Sequence, residues 1–514
     1  MTSRLRSLAL WLGAPLLVGM AGLVLGQDAN WDFRNYHYYN GYAFLNGRLG
    51  FDLLPANHPS FYNPLLDAPV YCLMQMLPAS AVALILGSVQ GLTAPLLYRI
   101  ALAIAPPAPR RNLLAAILAA AGCTGAMTMS EIGATFHDNT LAVPVLAGLL
   151  LTLLAITGRF VGRAFWLAIA SAAFLIGLAC GFKLTMSLYA VGLVAALLVA
   201  LPWRRWLIVI AVTGASGLAG FLATGGYWSF VLWSHFRNPF FPHFNNIFHS
   251  EFAADTAYRD LKFIAQLGLL ERLLLPLFST VNSWLVAEAD FFDARLLAAF
   301  VLCLPALFFL RRATPANRAL IAFAAAAYIV WVWLYCIYRY VLPLEMLAPI
   351  LCLAALSVLR PSAAFRGATA IAVLLTVATG YPKNLEPVRL PFGPRFVAID
   401  GLPKFEDNTL IVMAGDQPAA FIVPSLPPQL RVIRINDWPF LGQSGTQGFE
   451  PLIRRTIANH NGPMLLLTHP EDFKRAQNIA MLFGLRLLDE CSALATNLTA
   501  SKFLLCKLQP WTLR

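Results

Sequence analysis

Residues 10–40 read LWLGAPLLVGMAGLVLGQDANWDFRNYHYYN, and the change of character midway through that stretch decides the fold. From Leu10 to Gly26 no side chain is charged. A helix over that run approaches the roughly 20 apolar residues needed to cross a hydrocarbon core. From Gln27 the chain turns polar and aromatic at once, with Asp28, Asp32, Arg34, His37 and Asn40 set among Trp, Phe and Tyr rings. A membrane span that runs straight into an acid-bearing aromatic loop puts the chemistry at the membrane surface.

Working outward, apolar length and basic flanks define eleven spans, at residues 9–26, 79–104, 112–130, 139–158, 164–181, 184–201, 206–229, 294–310, 319–337, 342–358 and 366–380. So many runs exclude a lone cleaved signal peptide. Of the 514 residues 59% are hydrophobic and 12% charged. That is about half the charged share of a soluble domain, which excludes a single water-soluble core. The expected fold is an all-α polytopic membrane bundle with interfacial helices on its outer face, followed by a soluble α/β domain.

The net charge of +12 does not mark a nucleic-acid binder. Arg4, Arg6, Arg110, Arg111, Arg159, Arg163, Arg204, Arg205, Arg311, Arg312, Arg318, Arg360 and Arg366 lie in short segments between spans, and those segments hold no acid. This is the positive-inside pattern of a multi-pass inner-membrane protein with a cytoplasmic N-terminus. An odd number of spans then places the tail outside. Cys72, Cys123, Cys180, Cys303, Cys336 and Cys352 sit in or beside spans as small hydrophobes. Cys491 and Cys506 lie in the polar tail, where an oxidising compartment allows them to pair.

The expected division is a membrane module over 1–380 and an extracytoplasmic domain over 381–514. Within the module, the segments 27–78, 131–138 and 233–293 are elaborated on the outer side, whereas the inner loops are short. Site residues gather on such elaborated loops. In the tail, the runs TLIVMAG, LRVIRI, PMLLLTH and FLLCKLQ read as strands between the helix-like EPLIRRTIANH and EDFKRAQNIAMLFG. No internal repeat and no Gly-rich phosphate loop is present.

A carboxylate at the membrane surface, partly desolvated among aromatic rings, is suited to act as a general base. The alternative is that Asp28 and Asp32 are solvated markers of the membrane edge. Interleaved rings and polar groups, here Asp28, Asp32, Arg34, Tyr36, His37 and Asn40, fit a carbohydrate site. Lys183 and Arg339 are lone cations at outer span ends, against the charge bias, and each needs a partner. A lipid phosphate is one; Asp138 and Glu345 are others. The outer histidines have no metal-type spacing.

A short acidic motif after span one, with Tyr four residues on and a helix closing on Gly, resembles the C-type superfamily of membrane glycosyltransferases. The protein O-mannosyltransferase and aminoarabinose transferase branch is the nearest in pattern. Asp32, Tyr36 and Gly47 match it, while Phe33 stands where a second acid is common. FHDNTLAVPVLAGLLL around Asp138, GLACGFKLTMSLYA around Lys183, NPFFPHFNNIF from Asn238 and YRYVLPLEML with Arg339, Tyr340 and Pro343 extend the resemblance over most of residues 1–380.

The resemblance implies an inverting transferase that takes a sugar from a polyprenyl-phosphate donor. The acceptor is an envelope glycolipid, a glycan or a protein. It implies catalytic roles for Asp32 and Asp138, and donor-phosphate contacts from Arg339, Lys183 and Tyr340. Substrate contacts fall to Asp28, Arg34, Tyr36, His37, Asn40, Asn63, His137, Asn238 and His243. No metal ligand set is read, and a divalent cation is neither required nor excluded. The rival classes are a transporter or flippase of lipid-linked saccharide and a surface-polysaccharide polymerase or ligase. Polar loops on one face only speak against alternating access, which needs gates on both faces.

Overall fold

Among the described residues, six helices are long and apolar enough to cross a membrane: Ala79–Ile104, Asp138–Ile156, Arg163–Phe182, Trp203–Phe236, Pro315–Leu334 and Tyr338–Leu359. Four shorter apolar helices join them, Ala9–Leu25, Arg111–Cys123, Leu184–Ala200 and Arg295–Leu307. The computed structural model describes residues 8–360, 388–436 and 448–511, with positions 362, 367, 370, 378 and 380–382. The last expected span, 366–380, therefore lies almost wholly outside the described residues.

Where helices are shorter than the apolar runs, close backbone approach explains it. The helix expected to reach residue 130 stops at Cys123, and a new one begins after Gly125. A Cβ at Gly125 would fall 2.3 Å from Glu345 Oε2, so the Glu345 carboxylate lies directly against this break. Helix Tyr338–Leu359 has 83% of its apolar window buried, against 17% for Trp203–Phe236. The first is thus a core helix, and the second presents an apolar surface outward, as a lipid-facing helix does.

The chain divides into two compact units. The first comprises Met1–Leu25, Ala83–Gly226 and Asp260–Pro387; the second comprises Gly26–Val82, Tyr227–Arg259 and Val388–Arg514. The loop after span one therefore belongs with the tail. In the first unit, helix Arg163–Phe182 packs on Asp138–Ile156 and on Trp206–Phe221. Helix Leu342–Leu359 packs on Arg111–Cys123 and on Arg295–Leu307.

The second unit is built on a six-stranded sheet of β1 (Ile399–Asp400), β2 (Leu410–Met413), β3 (Arg431–Arg434), β4 (Met464–Thr468), β5 (Leu485–Thr496) and β6 (Phe503–Pro510). The spatial order is β1-β5-β6-β4-β2-β3. Strand β2 runs parallel to β3 and β4, and β6 is antiparallel to β4 and β5. All four strand-like runs read in the sequence are strands; β5 escaped because polar residues break its alternation. Cys491 on β5 lies opposite Cys506 on β6, and the two form a disulfide.

The outer loop is stitched onto the β3 edge. Leu53 N–H donates to Val432 O and Arg434 N–H donates to Leu53 O, both at 2.9 Å. Arg48 forks onto Asp52, with Nε and Nη2 each 2.7 Å from a carboxylate oxygen, and its Nη2 also donates to Leu430 O at 2.8 Å. Leu53, Leu54, Phe61, Trp228, Phe236 and Phe241 share one buried core with Val412, Ile433, Leu466 and Phe449. A sheet edge covered in this way is protected from pairing with other chains.

Candidate active site

In the second unit, the local fold sets Asp32. Gln27–Asp28 pairs with Arg389–Leu390. The buried Asp28 carboxylate accepts from Asn30 N–H at 3.0 Å and from Asn30 Nδ2 at 2.9 Å. Asn30 Oδ1 in turn accepts from Phe33 N–H at 2.6 Å, so a relay of side-chain caps starts the helical turn that carries Asp32. Phe33–His37 is a wide π turn, a form often found at functional positions. One turn on from Asp32, the Tyr36 hydroxyl donates to its Oδ2 at 3.2 Å. Asp32 is half-buried whereas Asp28 is sealed inside. The sequence match to Asp32 and the exposure therefore coincide on one residue.

Rings continue from Tyr36. Tyr62 stands edge-on to it at 5.4 Å, His243 is stacked on Tyr62 at 5.8 Å, and Tyr258 lies 5.8 Å from His243. Tyr258 hydroxyl meets His58 Nε2 at 2.6 Å. Burial holds the His243 imidazole pKa below its ordinary value, which favours the neutral ring. Tyr36 is buried, whereas Tyr62, His243 and Tyr258 are partly exposed; planar rings beside a carboxylate are a common feature of carbohydrate sites.

Other expected residues in this unit have structural partners. Arg34 Nε donates to Ala29 O at 3.1 Å, and His37 Nδ1 lies 2.7 Å from Asp67 Oδ1. Asn40 Nδ2 donates to Pro59 O, Asn63 Oδ1 accepts from Leu65 N–H, and Asn238 bridges His243 O and Phe240 N–H. These bonds shape the loops that carry the rings. A groove of about 500 Å³ also opens at the N-terminal ends of β2 and β3, lined by Phe51, Asn408, Arg431, Arg455 and His460.

In the first unit the structure brings together Asp138, Lys183, Arg339 and Tyr340. Asp138 opens helix Asp138–Ile156, and His137 before it is held left-handed at φ 66°. A non-glycine residue there is strained, as functional turns often are. Lys183 breaks the chain between two helices with extended φ,ψ of −146°,112°. The preceding Gly181 lets helix 163–182 lie close to 221–225, since a Cβ would come 2.2 Å from Thr224 Oγ1. This gives a physical reason for the Gly-x-Lys string.

Lys183 Nζ reaches both Asp138 oxygens at 2.7 Å and lies over the Tyr340 ring at 5.1 Å. Arg339 is stacked on Phe136 at 4.0 Å, and Tyr189 hydroxyl fixes Tyr340 by donating to its carbonyl at 2.7 Å. Glu345 is occupied elsewhere, accepting from Thr128 N–H at 2.9 Å and Oγ1 at 2.5 Å. The partner that the Lys183 charge required is thus Asp138. What results is two cations and one paired carboxylate at the ends of apolar helices. Glu131 sits in the same neighbourhood. The sequence reading passed over it, although it is an acid inside the apolar run MTMSEIGA.

No family model and no curated protein matches the chain. Solved structures do. The chain is similar to ArnT from Cupriavidus metallidurans in two crystal structures, one bound to undecaprenyl phosphate (13% identity, TM-score 0.53) and one in the apo state (13% identity, TM-score 0.54). Each comparison covers 98% of this chain and 98% of the other. At that identity the likeness is one of fold. The chain is a polytopic membrane protein that shares the fold seen in ArnT.

Proposed function

We propose that the protein is an inverting glycosyltransferase that takes a sugar from a polyprenyl-phosphate donor on the outer side of the inner membrane. The observation that carries this reading is the Lys183–Asp138 pair beside the stacked Arg339, two cations held at the ends of apolar helices. An anionic head on a long apolar tail meets both requirements, and a planar guanidinium suits phosphate oxygens. Support comes also from the fold, since the similar ArnT was crystallised with undecaprenyl phosphate. The Cys491–Cys506 disulfide supports an oxidising location for the tail.

In this reading Asp32 accepts the proton of the acceptor hydroxyl as its oxygen bonds to the anomeric carbon. The bond from that carbon to the donor phosphate breaks on the opposite face, and its electron pair leaves on the phosphate oxygen. One displacement inverts the configuration. Lys183 and Arg339 neutralise the leaving phosphate, and fixed charges of this kind commonly supply the largest part of a rate enhancement. Tyr36 orients Asp32, and the Tyr62–His243–Tyr258 rings receive the sugar face. The acceptor is an envelope glycolipid, a glycan or a protein.

The test is Asp32→Asn in membranes supplied with labelled polyprenyl-phosphate sugar. Transfer falls by at least a hundredfold, in line with loss of a general base. Protein level and undecaprenyl phosphate binding stay as in the wild type. Retained transfer removes Asp32 as the base; movement of lipid-linked sugar across vesicles without transfer removes the enzyme class.

A further inference from the structure

Glu131 is 1% exposed, and among the described residues neither of its carboxyl oxygens has a hydrogen-bond donor. The turn that carries it is held firmly. Gln90, itself buried, accepts from Gly133 N–H at 2.7 Å and donates to Ala134 O at 3.1 Å. Glu131 N–H and C=O are also bonded, to Met127 O and from Ala134 N–H. Only the carboxyl is unanswered. A buried ionised carboxylate without donors is among the most costly arrangements in a protein, and the group avoids the cost by keeping its proton.

The charges facing it point the same way. Asp138 from helix 138–156 and Glu345 from helix 338–359 oppose ionisation, while Arg339 and Lys183 favour it; burial outweighs all four and drives the Glu131 pKa well above its ordinary value. Helix 79–104 contributes the uncharged Gln90. With Glu131 ionised, Asp138, Glu345 and Glu131 together would outweigh Lys183 and Arg339, and the cluster would repel an anion. With Glu131 neutral, that excess of negative charge is removed and an acidic O–H is available.

We propose that Glu131 is a proton-bearing hydrogen-bond donor to the phosphate of the lipid-linked substrate, acting beside Lys183 and Arg339. This rests on the lipid-phosphate reading of that cluster and names a further residue for it. An arriving anion favours the protonated form still more, so binding takes up a proton wherever free Glu131 is ionised. Linkage then makes affinity fall by up to tenfold per pH unit between the free and bound pKa of this residue.

The experiment measures the Kd for undecaprenyl phosphate in detergent micelles from about pH 5 to 9, using full-length wild type, Glu131→Gln, Glu131→Ala and Lys183→Met. Dividing wild type by Glu131→Gln at each pH cancels the titration of the lipid phosphate itself. Glu131→Gln keeps size and a donor but has no proton to lose. It matches wild type at low pH and binds increasingly better as pH rises. Glu131→Ala binds at least tenfold more weakly at low pH. A flat wild-type to Glu131→Gln ratio overturns the proposal, as does unchanged binding by Glu131→Ala. Should Glu131→Ala fail to fold, the ratio to the isosteric Glu131→Gln still decides. Unchanged binding by Lys183→Met is a separate outcome, and it removes the lipid-phosphate reading itself.

Discussion

Asp138 and Lys183 allow a quantitative test of how the cation cluster works. The Asp138 side chain is fully enclosed and that of Lys183 is 22% exposed, with Nζ 2.7 Å from both carboxylate oxygens. At an effective dielectric of about 20 and a charge separation near 4 Å, their attraction is about 4 kcal/mol. Breaking such a buried pair typically costs about 3–5 kcal/mol, because the remaining charge loses its partner. If Asp138 acts by holding Lys183 where a phosphate oxygen arrives, the two residues contribute to binding through a single contact. A hydrogen bond to a charged group contributes about 1.5–3 kcal/mol, or about ten- to hundredfold in affinity. Lys183→Met therefore weakens undecaprenyl phosphate binding by that factor, measured by ligand-dependent fluorescence or thermophoresis of the purified protein in micelles. Asp138→Asn frees the lysine and loses most of the same factor. The double variant is no weaker than Lys183→Met alone. Additive losses would refute the holding role and give Asp138 its own contact with substrate.

Three further outcomes follow from the second unit. Arg48→Met removes a fork onto the enclosed Asp52 and lowers stability by about 3–5 kcal/mol, seen as a lower and broader melt without loss of expression at low temperature. Reduction of Cys491–Cys506, which closes a loop with a sequence separation of 15, costs about 3 kcal/mol and lowers the melting temperature of the reduced protein. Tyr62→Ala removes the ring on which His243 is stacked and weakens use of the sugar-bearing donor by about tenfold, while leaving affinity for undecaprenyl phosphate alone unchanged. Equal loss for both lipids would show that these rings do not meet the sugar.

The membrane helices were legible because burial in lipid writes itself as length and apolarity, which a single sequence displays directly. Lys183 and Arg339 were legible for the complementary reason: a charge where the bias forbids one needs an explanation, and Asp138 supplies part of it. The stitching of the first outer loop onto β3 was not legible. Arg48 and Asp52 look like an ordinary exposed pair four residues apart until a segment about 380 positions away supplies the Leu430 carbonyl for the guanidinium and the Val432 N–H for the carboxylate. Asp28 shows the same limit from the other side. By composition it ranks with Asp32, yet in the fold Asp28 is buried and accepts from Asn30 while Asp32 is half-buried.

Glu131 is the most instructive omission, because the signal was present and was given too little weight. This acid between Ser130 and Ile132, seven residues before Asp138, opens the outer segment 131–138, where Asp138 and His137 carry the sequence-based expectation and Glu131 carries none. In the folded protein this turn is not solvated: Gln90 locks its backbone and the carboxyl is closed off from water. A solvated acid needs no partner, whereas a sealed one with no donor has to be neutral or wait for a ligand. An ionised Glu131, added to Asp138 and Glu345, would outweigh the two cations proposed to attract a phosphate. If the cluster holds an anion, as proposed, it works best when one of its acids is kept protonated, and burial without donors is the simplest way for a protein to keep it so.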